Sequence, residues 1–115
     1  MPKDADPLKY AWDALDAALR IGRFIGGRTV DDYMTDEMLR SAVERQFEIM
    51  GEALGALRKM APAEAAKIRD LPRIVAFRNV LIHGYDSIND QLVWEAATED
   101  LGVVVIALQT LLGST

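Results

Sequence analysis

The sequence predicts an all-α protein, an up-and-down bundle of four to five helices. Apolar residues recur at alternating spacings of three and four along three long segments, which is the pattern of one buried helix face. Proline or glycine marks several ends of these segments, and no two segments alternate polar and apolar residues as paired strands do. A chain of 115 residues has the size of one domain, so we expect a single domain over 1–115.

The first helix is expected from about Pro7 to Phe24. Asp6 can cap its N-terminus, Pro7 suits the first helical position because an N–H there would have no partner, and the Gly26-Gly27 pair can end the helix. The next segment, TVDDYMTD at 29–36, is expected to be a short link. The predicted apolar face of this helix consists of Leu8, Trp12, Leu15 and Leu19.

A second long helix is expected from about Asp36 to Lys59. Glu44, Glu48 and Glu52 recur every four residues on a second face of this helix. Carboxylates in such a row could serve acid-base chemistry, but a solvated or interface face is the more common arrangement, and the spacing leaves their role open. The predicted apolar face consists of Leu39, Val43, Phe47, Met50, Leu54 and Leu57.

The second half of the chain should add two shorter helices and one long one. Pro62 and Pro72 can each open a helix, and the second of these would carry RIVAFRNVLIH to a break near Gly84. The last helix should run from about Asn89 to Leu112. The β-branched run GVVVIAL would also suit a buried strand, but the helical spacing continues through it and no partner strand is available. The predicted buried positions are Val93, Ala97, Leu101, Val104, Leu108 and Leu111.

Composition narrows the classes of function. The net charge of -5 disfavours a protein that coats nucleic acid by general attraction. With no cysteine and one histidine, a zinc site would depend on carboxylates, so we expect no metal and no cofactor. No apolar run approaches the roughly 18 to 20 residues that cross a bilayer, and the N-terminal MPKDADP does not resemble a signal peptide. We therefore expect a soluble, cytoplasmic protein without a membrane segment.

The segment 77–86, FRNVLIHGYD, contains the only histidine of the chain, His83. Taken singly, His83, Arg78 and Tyr85 could all be structural residues. Together they suggest a site, because Asn79 lies four residues before His83 on one helix face and its amide could orient the imidazole. Arg78 lies about 140° from His83 on an ideal helix and falls in an apolar stripe. A half-buried guanidinium usually indicates an ion pair, an interface or a ligand.

An arginine and a histidine can cleave RNA without a metal ion. Histidine can take the proton from a 2′-hydroxyl or give one to the leaving oxygen, while a guanidinium binds the phosphate at two points. A mechanism that needs both a base and an acid would need a second histidine, which one chain does not contain. The residue count therefore predicts a two-fold dimer that brings two copies of Arg78 and His83 together. Three basic residues before the motif could widen the phosphate-binding patch: Lys67, Arg69 and Arg73.

The string RNVLIHGY at 78–85 resembles the R-x4-H-x-Y motif of the HepT-like toxins in the HEPN superfamily. The string VERQFEIMGEAL at 43–54 is similar to the second-helix signature of the same family, which is all-helical and about as long as this chain. The resemblance covers nearly the whole chain, and the motif does not depart from the family pattern. It implies a HEPN-like helical bundle.

The resemblance also implies a function, that of the toxin in a type VII-like toxin-antitoxin system. Such a toxin is a metal-independent endoribonuclease that acts on RNA as a homodimer, with a composite active site made from the motifs of two subunits. By correspondence of positions, Arg78 and His83 are the catalytic residues, Asn79 is the supporting polar residue and Tyr85 is the tyrosine that receives AMP. The partner in these systems is MntA, a minimal nucleotidyltransferase that uses ATP to adenylylate this tyrosine.

Two other interpretations of the motif remain open at this point. A non-catalytic helical module could hold a nucleotidyltransferase or a nucleotide, with Arg78 and His83 contacting phosphate. A structural bundle, in which the motif only seals the core, is the other alternative. The first would bind its partner but leave RNA intact, and the second would lose only stability when His83 is replaced.

Overall fold

The computed structural model describes residues 6–84 and 88–113, which form helices and no strand. Within these residues the helices, in chain order, are α1 (Leu8–Ile25), α2 (Val30–Thr35), α3 (Glu37–Met60), α4 (Pro62–Ala65), α5 (Leu71–His83) and α6 (Asp90–Gly113). Helices α2 and α4 are short, with six and four residues, and lie between the long ones. The prediction of an all-α bundle is confirmed, and the four long helices lie within a few residues of their predicted bounds.

Helix α1 begins where its capping residue predicts. The Asp6 Oδ1 atom accepts a hydrogen bond of 2.9 Å from the Leu8 N–H, which satisfies one of the unpaired donors at the helix start. The helix ends at Ile25, and Gly27 has a φ of 75°, in the left-handed region that glycine adopts without steric cost. Its buried residues are mostly small: Ala11, Ala14, Leu15, Ala17, Ala18 and Ile21.

The buried face of α1 differs from the predicted one. Trp12 and Leu19 were expected inside but are 41% and 40% exposed, whereas four alanines of the helix are buried. Because alanine side chains are small, α1 can lie close to α3, where Ala53 is also buried. Close contact between the two helix backbones therefore outweighs the hydrophobicity of the largest side chains in deciding which face turns inward.

Helix α2 occupies the segment that the sequence analysis treated as a link, so that prediction was wrong. The Thr29 Oγ1 atom accepts a hydrogen bond of 3.1 Å from the Asp32 N–H, and Asp32 Oδ2 accepts one of 2.9 Å from the Thr29 N–H. This reciprocal capping box stabilises a short helix start. The helix turns Tyr33 into the core, where its ring centroid lies 5.5 Å from that of Trp94.

Helix α3 lies between α1 and α5 and contributes the largest set of buried side chains among the described helices. Asp36 caps its start, with Oδ1 accepting a hydrogen bond of 3.0 Å from the Leu39 N–H. Every residue of its predicted apolar face is buried: Leu39, Val43, Phe47, Met50, Leu54 and Leu57. Gly51 and Ala53 are buried as well.

Helix α6 is continuous, and a π-helical segment at Ala96–Asp100 separates two α-helical parts. Asn89 caps its start by accepting a hydrogen bond of 3.3 Å from the Leu92 N–H. The helical prediction for GVVVIAL is confirmed, because this run lies in the second α-helical part, Leu101–Gly113. All six positions predicted for its inner face are buried: Val93, Ala97, Leu101, Val104, Leu108 and Leu111.

By length and composition alone, α6 could cross a membrane, so the expectation that no segment is that apolar was too strong. This is weak evidence for a membrane span, since core helices of soluble proteins share these properties. Here α6 packs against α1 in a compact fold with a Cα radius of gyration of 14.0 Å, close to the value for a soluble domain of this length.

Arg40 joins three helices at one end of the bundle. Its Nη1 atom donates hydrogen bonds to the backbone carbonyls of Met34, at 2.7 Å, and Tyr33, at 3.3 Å. Its Nε atom lies 3.6 Å from Asp90 Oδ2, at the start of α6. Burial raises the pKa of the neighbouring Glu44 carboxyl, and the charges of Asp90 and Glu48 raise it further, while Arg40 opposes them.

We predict that Glu44→Gln raises the thermal unfolding midpoint at pH 7 and that this gain disappears near pH 4. Because folding raises the pKa of Glu44, the folded protein binds this proton more tightly, and its stability falls as pH rises through that raised pKa. Glutamine has no carboxyl to ionise, so the variant avoids the free-energy cost of ionising a partly buried group. Glu52→Gln, at an exposed position of the same helix, should leave the unfolding midpoint unchanged at both pH values. Equal destabilisation by Glu44→Gln at both pH values would contradict the prediction.

Candidate active site on helix α5

Helix α5 ends at the central histidine of the motif. Pro72 lies in its first turn, and at the other end the Gly84 N–H donates a hydrogen bond of 2.8 Å to the Val80 carbonyl. Leu71 and Leu81 are buried on the inner side of the helix. His83 is therefore the last helical residue, on a turn whose backbone geometry is fixed by the Gly84 bond.

Arg78 lies between the inner and outer sides of α5 and is half-buried. Its aliphatic stem packs on α3 at Gly51. The Nε atom is buried and has no hydrogen-bond partner among the described residues, whereas Nη1 donates a hydrogen bond of 3.1 Å to Asn79 Oδ1. The Nε atom of the guanidinium is thus enclosed, and its outer Nη1 atom is held by Asn79.

Asn79 and His83 are both exposed, one helical turn apart, as the spacing predicts. The hydrogen bond of the Asn79 oxygen is to Arg78, however, and within residues 6–84 and 88–113 none joins Asn79 to His83. A charged donor forms a stronger hydrogen bond than a neutral one, which favours the adjacent guanidinium as the partner of the Asn79 oxygen. The structure therefore brings Asn79 together with Arg78 and leaves His83 at the exposed helix end. Tyr85 lies outside the described residues.

The carboxylates of α3 are divided among different environments. Glu48 forms an ion pair with Arg45, with 3.3 Å between Oε2 and Nη1, and Glu44 belongs to the group around Arg40. Glu52 lines a groove between α1 and α3 that also contains Asp13. In the part of the chain that the structure describes, no carboxylate forms an ion pair with Arg78. The three glutamates therefore have different partners, although the charge of Glu48 still acts on Glu44.

A groove of about 430 Å³ follows the flank of α5 that faces α6. Arg73 lines it and forms an ion pair with Asp100, with 3.6 Å between Nη2 and Oδ2. Its apolar surface includes Phe47, Phe77 and Val104. Its acidic residues are Asp70, Glu95, Glu99 and Asp100. This charge does not suit an RNA phosphate, so Arg73 does not extend a phosphate-binding patch from Arg78.

Arg78 is positioned by a contact that was not predicted from the sequence. The spacing correctly predicted that Arg78 is half-buried, but the glycine on α3 against which it packs is 27 positions earlier in the chain. The string around Gly51 was noted only as part of a family signature. A glycine inside a long helix is costly, which was the available signal of a close approach at this position.

Comparisons with known proteins identify the family of this chain. The family model "Ribonuclease HepT-like" matches residues 14–111. A putative RNase of Methanocaldococcus jannaschii is 31% identical over 98 residues, which are 84% of this chain and 87% of that protein. A second putative RNase of the same organism is 30% identical over 100 residues, or 83% of this chain and 77% of that protein.

A putative RNase of Caldanaerobacter subterraneus is 30% identical over 77 residues, which are 67% of this chain and 68% of that protein. No solved structure matches the chain with significance. The family match covers most of the chain, including α5 with Arg78 and His83. From the all-α fold, the motif at the end of α5 and these matches, we conclude that this chain belongs to the HepT-like ribonuclease family, whose substrate is RNA.

Proposed function

We propose that this protein is a metal-independent endoribonuclease that acts as a homodimer, with Arg78 and His83 as its catalytic residues. We further propose that it is the toxin of a type VII-like toxin-antitoxin system in the cytoplasm. The observation that supports the site best is the state of Arg78: it is half-buried, its Nε atom is enclosed, and its Nη1 atom is held by Asn79, on the helix that ends at the exposed His83.

Arg78 is suited to bind a phosphate group. Its guanidinium has given up part of its hydration, and among the described side chains only the neutral oxygen of Asn79 compensates it. Partly dehydrated arginine needs an anionic partner, and a phosphate accepts two parallel hydrogen bonds from a guanidinium. On a protein with a net charge of -5, such a local cation gives RNA a point of attachment.

His83 is suited to move the proton that RNA cleavage requires. When the 2′-oxygen attacks the phosphorus atom, the bond from phosphorus to the 5′-oxygen breaks. One proton leaves the 2′-hydroxyl and another joins the 5′-oxygen, so the products are a cyclic phosphate and a 5′-hydroxyl. One imidazole takes the first proton and a second imidazole donates the other. Because the exposed helix end leaves His83 accessible, a partner subunit can bring the second histidine.

The outer face of α5 supports pairing with a second copy. Its exposed residues in the last turn before His83 are uncharged, namely Asn79, Val80 and Ile82, and the exposed Arg73 two turns earlier is paired with Asp100. An uncharged face that is repeated on two subunits can meet itself across a two-fold axis without charge repulsion, which an otherwise acidic surface cannot. Such a dimer places two Arg78–His83 pairs against each other.

Tyr85 is the proposed site of control. An MntA-like nucleotidyltransferase partner would transfer AMP from ATP to its hydroxyl group. The added phosphate would lie two residues from His83, where it adds bulk and offers Arg78 a competing anion. Adenylylation would therefore inhibit cleavage both by obstruction and by occupying the guanidinium.

We predict that the purified protein cleaves RNA in EDTA and that Arg78→Ala or His83→Ala lowers the rate by roughly 100-fold or more, since each removes a transition-state group. Arg73→Ala is the matched control, because Arg73 lies on the same helix but faces the acidic groove. It should leave the rate within about threefold of wild type. If RNA stays intact with wild-type protein, the proposed ribonuclease activity is refuted and the non-catalytic binding module is favoured.

We predict that Val80→Glu converts the dimer to a monomer and abolishes cleavage, measured by light scattering and by the RNA assay. Val80 is 53% exposed on the uncharged face of α5, so two added carboxylates would meet across the two-fold axis. Val103→Glu, at a position that is 50% exposed on α6, should leave both properties unchanged. A Val80→Glu protein that remains dimeric and active would place the interface elsewhere.

We predict that incubation with the cognate nucleotidyltransferase and ATP adds the mass of AMP to the wild-type protein and lowers its ribonuclease activity. Tyr85→Phe should gain no mass, because phenylalanine has no hydroxyl to accept the nucleotide. Tyr10→Phe, which removes a hydroxyl on α1, is the matched control and should still be modified. Modification that persists in Tyr85→Phe would exclude Tyr85 as the acceptor.

A further inference from the structure

We infer that Gly51 is a positioning residue for Arg78: by lacking a side chain, it sets how close α5 lies to α3 and thereby where the guanidinium stands. This inference rests on the proposed phosphate-binding role of Arg78 and adds a residue on another helix to that site. Gly51 does not itself reach the substrate, because it is buried beneath α5. It acts only through Arg78.

The contact between Gly51 and Arg78 is closer than any side chain on α3 would allow. A methyl group built at Gly51 would overlap the Arg78 Cβ atom and would lie 2.8 Å from its Cγ atom. It would also lie 3.3 Å from the Ile74 carbonyl oxygen, one turn earlier on α5. The Cβ atom and the carbonyl move only with the backbone, so an alanine at position 51 must displace α5 itself.

This close approach explains the state of the guanidinium. Because the Arg78 stem lies flat on the α3 backbone at Gly51, the Nε atom is enclosed and only the outer nitrogens remain available. One of these already bonds to Asn79, which limits the orientations of the group. The remaining N–H donors of the guanidinium are thus oriented before a phosphate group binds. Moving α5 outward would admit water to Nε and release this constraint.

The second glycine of α3 provides a matched comparison. Gly55 lies one turn further along the same helix, and a methyl group built there would meet nothing within 4 Å. Both substitutions to alanine gain the same helix propensity and differ only in the contact with α5. A difference between the two variants therefore reports the contact and not a general effect of alanine in α3.

The test measures RNA binding and thermal unfolding in proteins that all carry His83→Ala, so that the probe is not cleaved. The probe is a fluorescein-labelled single-stranded RNA of mixed sequence, and binding is followed by anisotropy at constant salt. We expect Gly51→Ala to weaken binding roughly tenfold, the effect of losing one well-placed charged hydrogen bond. Gly55→Ala should bind as the parent does and unfold at the same or a higher temperature.

A double-mutant cycle with Arg78→Ala separates positioning from stability. Alanine at position 78 keeps the Cβ atom, so Gly51→Ala should lower the unfolding midpoint in both backgrounds. Its effect on RNA binding should vanish once Arg78→Ala is present, because there is no guanidinium left to position. A purely structural glycine would instead weaken binding equally in both backgrounds, which would overturn the inference.

The outcomes also distinguish this inference from the proposed function. If Arg78→Ala leaves RNA binding unchanged, the phosphate-binding role fails and the inference fails with it. If Arg78→Ala weakens binding but Gly51→Ala lowers only the unfolding midpoint, the proposed function survives and the inference alone is wrong. Should Gly51→Ala not fold by itself, the same cycle is measured with Gly55→Ala in every protein, since its added helix propensity offsets the loss.

Discussion

The packing of α3 between two neighbouring helices is the constraint on which the other features of this fold depend. On the side of α1, buried alanines such as Ala14 and Ala18 let the two helices approach closely, with Ala53 on α3. On the side of α5, the absence of a side chain at Gly51 lets α5 approach α3 closely as well. Protein interiors are packed to crystal-like density and leave little room for adjustment, so each of these small residues sets the distance between two helices. Helix α6 then packs on α1 and completes the core.

This constraint gives α5 two different faces. Its inner face packs on α3 and encloses the Nε atom of Arg78, while its outer face carries the exposed residues Asn79, Val80 and His83. The flank toward α6 is acidic and would repel a polynucleotide. In the proposed function, this acidic protein recognises RNA through one oriented cation, Arg78, rather than through a broad basic surface. The family to which the chain belongs is consistent with this arrangement.

Much of the fold could be predicted because its causes are local. The cap at Asp6 and the regular apolar spacing predicted three long helices to within a residue or two, and the structure adds caps at Asp36 and Asn89. The short helix α2 was missed although the capping pair Thr29 and Asp32 was visible in the sequence. A six-residue helix has no room for a periodic pattern, so its only signal is the cap. The π-helical segment in α6 had no sequence signature at all.

The candidate site shows the limit of local reasoning more clearly. The stripe on α5 predicted that Arg78 is half-buried, but the choice of Asn79 to bond Arg78 rather than His83 depends on side-chain geometry. The contact with Gly51 depends on the packing of two helices distant in sequence.

The measurement that tests this account most directly is RNA cleavage by mixed dimers. Wild-type and His83→Ala chains are unfolded together, refolded at a series of ratios and assayed in EDTA at constant total protein. If each active site needs a histidine from both subunits, activity falls with the square of the wild-type fraction, to about a quarter at equal amounts of the two chains. Activity that falls only in proportion to the wild-type fraction, to about half, would show that each subunit cleaves alone and would contradict the shared site.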